Sequence, residues 1–166
     1  LNGMLQFSVF HEAAGQYPAL ESVATLLGTR RRGFREARAI ARENEVRQLV
    51  AQLQRRTNIL LLGEAGAGKS TVLAEAVRQL LRSKPKPDEK REEDSEDNTT
   101  QRPQFWRTSG QRLIAGMKYL GQWEQRCENL IAELSDTGGV LCLDNLLELV
   151  RQGGTSPTNS LAAFFL

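Results

Sequence analysis

The chain has no apolar run long enough to form a membrane-spanning helix, which excludes that mode of membrane insertion. Cysteine is scarce. Cys127 and Cys142 sit inside apolar patterns without metal-ligand spacing, and the single histidine, His11, has no partner cluster, so a cysteine–histidine metal site is excluded and buried thiols are expected. Charge of one sign is also lacking: a net charge of +2 is too mild to argue for nucleic acid. The opening residues Leu1, Asn2, Gly3 and Met4 show no basic segment followed by an apolar core, so no signal peptide is expected, and the cytoplasm is the expected compartment. Apolar residues are missing altogether from residues 83–104, where Pro85, Pro87 and Pro103 accompany Asp88, Glu89, Glu92, Glu93, Asp94, Glu96 and Asp97. Such a tract cannot bury enough surface to offset the entropy of ordering its backbone, so a disordered loop is expected, with an acidic docking arm as the alternative.

The remaining composition, 40% hydrophobic and 25% charged over 166 residues, is that of a globular domain, and it is punctuated by one strong motif. Leu60-Leu61-Leu62-Gly63-Glu64-Ala65-Gly66-Ala67-Gly68-Lys69-Ser70-Thr71 fits G-x-x-x-x-G-K-[ST], the Walker A phosphate-binding loop. A loop that wraps backbone N–H groups around a polyphosphate needs conformations open mainly to glycine, hence Gly63, Gly66 and Gly68. Lys69 offers a point charge to the outer phosphates, Ser70 a hydroxyl to Mg2+, and the following helix its unpaired amides and positive dipole end. The apolar run at residues 59–62 predicts a buried strand before the loop. Val72, Leu73, Ala76, Val77 and Leu80 predict a helix after it.

Elsewhere the periodicities place the motif in an α/β frame. Residues 1–28 carry Leu20, Val23, Leu26 and Leu27 at helical spacing, with Pro18 tolerated in a first turn, and form a lead-in without chemistry. Val46, Leu49, Val50 and Leu53 mark one face of an amphipathic helix over 42–55. Residues 105–108 predict a strand, with Ser109 as N-cap of a short helix to Ala115. Trp123, Cys127, Leu130, Ile131 and Leu134 define another helical face, and residues 136–139 a turn. Trp106 and Trp123 are assigned to the core. Val140-Leu141-Cys142-Leu143 predicts a buried strand ending on Asp144, where a Walker B carboxylate would be held rigidly to fix hydrated Mg2+. Arg30, Arg31, Arg32, Arg35, Arg38 and Arg42 form a basic segment, read as a solvated helical face because few aromatics are interleaved to stack bases.

From residue 39 to 165 the chain resembles the first nucleotide-binding domain of the Clp-type AAA+ unfoldases and disaggregases. Ile40-Ala41-Arg42-Glu43-Asn44-Glu45-Val46 resembles the family's V-I-G-R-x-x-E-I box, Gln54-Arg55-Arg56-Thr57 its Q-R-R-T, and Leu62-Gly63-Glu64 its L-x-G-E. Ala115-Gly116-Met117-Lys118-Tyr119-Leu120-Gly121-Gln122-Trp123-Glu124-Gln125-Arg126 resembles A-G-x-K-Y-R-G-E-F-E-E-R, the pore loop and the helix behind it. The resemblance implies a three-layer αβα P-loop NTPase fold of AAA+ type with a parallel sheet, a lead-in over 1–38 and a partial nucleotide-binding domain over 39–166. It implies ATP and Mg2+ as cofactors, held by residues 63–71 (Gly63, Glu64, Ala65, Gly66, Ala67, Gly68, Lys69, Ser70 and Thr71) with Ile40 and Ala41 at the adenine and Ser70 and Asp144 at the metal. It also implies a hexameric homo-oligomeric ring in which Lys118, Tyr119 and Leu120 grip a polypeptide substrate, served by a protease or adaptor. An aromatic on a glycine-hinged loop can press on any extended peptide; the alternative for Tyr119 is a core residue at a helix start.

Two departures qualify the expected activity. The family's Walker B strand is followed by Asp-Glu, the glutamate activating the attacking water, whereas here Asp144 is followed by Asn145. An amide cannot accept a proton, and a general base is worth about 100- to 10,000-fold in rate. Leu120 also replaces the usual arginine. The chain further stops before the family's next strand, which lies between the Walker A and Walker B strands, so an incomplete sheet is expected. The leading reading is ATP hydrolysis coupled to protein remodelling, with Lys69, Asp144 and Asn145 at the reaction centre. Its rivals are a hydrolysis-impaired regulatory or structural subunit, favoured by Asn145, and a nucleic-acid-handling P-loop ATPase, supported by the arginines alone.

Overall fold

The computed structural model describes residues 15–29, 38–83, 103–117, 121–153 and 160–165. They fall into two compact units, one formed by Leu1–Leu26 with Pro103–Leu166 and the other by Leu27–Arg102.

The first unit holds a three-stranded sheet of order β1-β2-β3, made of β1 (Thr25–Leu26), β2 (Phe105–Ser109) and β3 (Val140–Asp144). β2 and β3 run parallel, with Phe105 opposite Val140 and Ser109 opposite Asp144. β1 is antiparallel to β2, so the sheet is mixed rather than wholly parallel. The lead-in is a short helix, α1 (Pro18–Val23), rather than one helix through Leu27. Ala24 turns extended, and the next two residues pair with β2. The first-turn amides of α1 at Ala19 and Leu20 donate to the Glu133 carboxylate at 2.9 and 2.8 Å, which satisfies donors that a helix start leaves unpaired.

After β2 come α4 (Gly110–Ile114), α5 (Gln122–Thr137), β3, α6 (Leu146–Arg151) and α7 (Leu161–Phe165). Ser109 holds the N-cap position of α4 with extended backbone, but its side chain makes no capping bond, contrary to expectation. α5 ends on Gly138 in the left-handed region, the helix-stop that glycine permits without a Cβ penalty. The core joins Leu20, Val23, Trp106, Leu113, Trp123, Cys127, Leu130, Leu149 and Leu161, with Trp123 and Phe164 edge to face at 5.8 Å. Both tryptophans are therefore core residues, as their positions predict. Thr108, buried beside them, donates its hydroxyl to the Val23 carbonyl at 2.7 Å. β3 is half-buried along its length rather than buried, which corrects the reading of its apolar run.

The second unit packs α2 (Glu43–Gln54) on α3 (Lys69–Arg82) through Val46, Leu49, Val72 and Ala76, the faces that the periodicity marks. The predicted strand at 59–62 is absent: these residues belong to no strand, and Leu60 and Leu62 are exposed, Leu62 by 81%. A strand is made by its ladder and not by its composition, and none of the described strands pairs with this run. Residues 84–102, most of the expected disordered tract, lie outside the described residues, as do Arg30, Arg31, Arg32 and Arg35. Among the described residues no helix is long and apolar enough to cross a membrane.

Candidate functional site

The glycine-rich loop is built by backbone conformation. Gly66 and Gly68 take φ of 80° and 83°, a region that costs most L-residues roughly 1–2 kcal/mol, and Gly68 is the N-cap of α3. A Cβ on either would meet nothing within 4 Å, so the requirement is one of dihedral angle and not of space. Gly63 is outside that region, and the structure does not explain its identity in those terms. The Gly68 carbonyl accepts from the amides of Thr71 and Val72 at 3.0 Å each, and Ala67 donates to the Glu64 carbonyl at 3.2 Å. Among the described residues nothing accepts a hydrogen bond from the amides of Gly66, Gly68 or Lys69. Unpaired amides at a helix start, backed by the positive end of the helix dipole, are the kind of feature that favours an anion. The Lys69 ammonium donates to the carbonyls of Gly63 and Glu64 at 2.8 Å each, so the side chain braces the loop that carries it. Glu64, Ala65 and Ala67 are exposed along the loop, while Ser70 and Thr71 open α3.

In the same unit, Ile40 is 85% exposed and Ala41 takes φ of 55°. The family box has glycine at the Ala41 position, and the left-handed backbone here gives that glycine its physical reason. Arg42 follows and pairs with Glu45 at 3.0 Å on the first turn of α2. Backbone hydrogen bonding, then Arg42, holds the Glu45 carboxyl below the ordinary carboxylate range.

In the sheet unit, Asp144 ends β3, as expected of a Walker B acid. Both its carboxylate oxygens accept from Arg107 Nε, at 3.1 and 2.9 Å. Arg107 lies on β2, opposite Cys142, which brings it within reach of the next same-face side chain on β3. Burial, reinforced by the Asp144 carboxylate and opposed by Arg107, pushes the Cys142 thiol up to about 11, and burial likewise pushes Cys127 up to about 11. Both cysteines are thus neutral thiols at physiological pH. Asn145 is exposed, takes φ of 54° as N-cap of α6, and its carbonyl accepts from Glu148 and Leu149.

Lys118, Tyr119 and Leu120 lie outside the described residues, but the stems around them do not. Gly116 and Gly121 take φ of 75° and 88° on either side. Arg126 of α5 donates to the carbonyls of Leu113 and Ala115, each at 2.9 Å, tying the end of α4 to α5. The motif drew attention to Arg126 without revealing this brace. The Arg107–Asp144 pair was missed altogether, because a register between strands 37 residues apart leaves no mark in the sequence.

No protein-family model matches the chain. It is 32% identical over 145 residues to chaperone protein ClpB 1 of Thermosynechococcus vestitus, a match covering 85% of this chain and 15% of that protein. ClpB of Porphyromonas gingivalis is 32% identical over 145 residues, with 85% and 16% covered. ClpB of Mycobacterium tuberculosis is 30% identical over 148 residues, with 87% and 16% covered. Among solved structures, the S. cerevisiae Hsp104–ADP complex superposes with a TM-score of 0.62 at 26% identity over 84% of this chain and 23% of that one.

The chain belongs to the Clp-type AAA+ family. Its fold is the α/β fold of that family in part, with the two strands β2 and β3 of the parallel sheet formed. It spans about 15% of the length of the curated Clp relatives it matches.

Proposed function

We propose that this chain is an AAA+ module that binds Mg2+–ATP and, in the protein to which it belongs, couples nucleotide state to the handling of polypeptide substrates. The observation that carries the reading is the loop opening α3: Gly66 and Gly68 in left-handed backbone, with the amides of Gly66, Gly68 and Lys69 turned to no acceptor among the described residues. In this reading residues 63–71 hold the phosphates, Lys69 transferring its ammonium from the loop carbonyls to the outer phosphates. Ile40 and Ala41 lie at the adenine. Ser70 and Asp144 are assigned to Mg2+, which when bound neutralises charge developing on the transferred phosphoryl group. The ADP held by the solved relative supports the nucleotide class.

Substrate handling is assigned to Lys118, Tyr119 and Leu120 in a hexameric ring, with a protease or adaptor as partner, and rests on the family's pore-loop motif and on the names of the ClpB chaperones. The partial nucleotide-binding domain is proposed to occupy 39–166, following a lead-in over 1–38. A second reading is favoured by Asn145: a subunit that binds ATP and turns it over poorly, because no carboxylate stands at the expected position of the base.

Lys69→Ala tests the cradle. Losing a charge-assisted contact worth about 1.5–3 kcal/mol should weaken ATP binding at least about tenfold in a calorimetric titration. Unchanged affinity would remove the phosphate assignment.

A further inference from the structure

The Walker B carboxylate already has a partner. Arg107 Nε lies 3.1 and 2.9 Å from the two oxygens of Asp144, and the side chains are 35% and 40% exposed, so the pair is open to ions from solvent. The parallel register fixes it, because Arg107 on β2 and Asp144 on β3 project from the same face two rungs apart along rigid strands. A guanidinium cannot lose its charge at any working pH, so Asp144 meets an incoming cation with its negative charge already opposed.

We propose that Arg107 is a positioning residue that holds the Asp144 carboxylate in the absence of metal and competes with Mg2+ for it, setting the Mg2+ concentration at which Asp144 is occupied. The proposal rests on the assignment of Asp144 to the metal. Arg107 touches neither nucleotide nor metal in this scheme; it acts by lowering the field at the carboxylate and by fixing its orientation. A half-exposed ion pair is worth up to about 1 kcal/mol, which sets the scale of its influence at about fivefold.

The test is a titration of Mg2+ into the full chain at fixed ADP, read by calorimetry, for wild type, Arg107→Met, Asp144→Asn and the double variant. Arg107→Met should lower the half-saturating Mg2+ concentration about three- to fivefold. ADP affinity without Mg2+ should stay within about 1.5-fold, since a purely structural defect would move both. In the Asp144→Asn background the Arg107→Met shift should vanish, because the cycle isolates the pairwise effect. Arg107→Lys, which keeps the charge and loses the Nε contact, should fall between wild type and Arg107→Met and guards against a folding defect in the methionine variant.

A midpoint unmoved by Arg107→Met, or a shift that persists with Asn at 144, overturns the proposal. Those results would leave the metal assignment standing if Asp144→Asn alone raises the Mg2+ requirement. A midpoint insensitive to Asp144→Asn would instead sink the assignment of Asp144, and the proposal with it.

Discussion

The two units of this chain invert one another. The unit over Leu27–Arg102 carries the most recognisable motif, a glycine-rich loop with Gly66 and Gly68 in left-handed backbone, yet the apolar run leading into that loop pairs with none of the described strands and is exposed. The unit of Leu1–Leu26 and Pro103–Leu166 carries a weaker motif, one acid at the end of a strand, within a core in which Leu113, Leu130, Leu149 and Leu161 are fully buried. A phosphate loop needs only a few backbone angles and a helix start, both local in sequence. A sheet needs neighbours. Chemistry and packing are therefore written at different ranges, and a short stretch of chain can hold the first without completing the second.

The contrast is sharpest for a pair of substitutions. Trp123→Ala removes an aromatic that is 5% exposed and packed edge to face on Phe164, and should destabilise its unit by about 3–5 kcal/mol in urea unfolding followed by far-UV circular dichroism. Leu62→Ser, at a side chain 81% exposed, should change stability by no more than about 0.5 kcal/mol. A loss at Leu62 comparable to that at Trp123 would mean that residues 59–62 are paired in solution, and the comparison would collapse.

What the sequence disclosed follows the same division. The faces of α2, α3 and α5 were legible because a 3.6-residue period needs no knowledge of the partner; Val46 and Leu49, Val72 and Ala76, Trp123 and Cys127 are buried where the spacing puts them. The glycine turn ahead of α3 and the strand end at Asp144 were legible for the same reason, each being a local pattern, whereas the parallel pairing of β2 and β3 was implied only by the family resemblance, and β1 pairs antiparallel. The strand at 59–62 was misread because hydrophobic content measures what a strand could bury and says nothing of whether a ladder is present. Glu133 at the start of α1 and Arg107 at Asp144 were invisible, since each joins elements distant along the chain. Ala41 entered only as part of the family box at the adenine; its φ of 55° gives an energetic meaning to the glycine that the box carries at this position.

Asn145 tests the sheet unit's chemistry as Trp123 tests its packing. If the position matches the family's catalytic glutamate, Asn145→Glu in the intact protein should raise ATP hydrolysis by about 100-fold or more in a phosphate-release assay, with little change in affinity. The same substitution should lower stability by about 1 kcal/mol, because Asn145 sits at φ of 54°, where asparagine is better tolerated than glutamate. Brisk hydrolysis with Asn145 in place would mean that another carboxylate serves as base. No gain from glutamate would put the match of this strand end to the family in doubt.

A small effect of definite sign is expected in the other unit, at Ala41. The side chain is exposed and its substitution removes no packing, so any change reports backbone strain. Glycine relieves the cost of a Cβ at positive φ and restores freedom to the unfolded chain, two effects of opposite sign and similar size. The first is the larger, which gives Ala41→Gly a net gain of about 0.5 kcal/mol. Thermal unfolding of matched variants would resolve it, with Ala41→Val as the control. A β-branched residue is an outlier at positive φ and should destabilise where glycine stabilises. If both substitutions move stability the same way, the left-handed backbone at 41 is not populated in solution, and the glycine of the family box has some other cause.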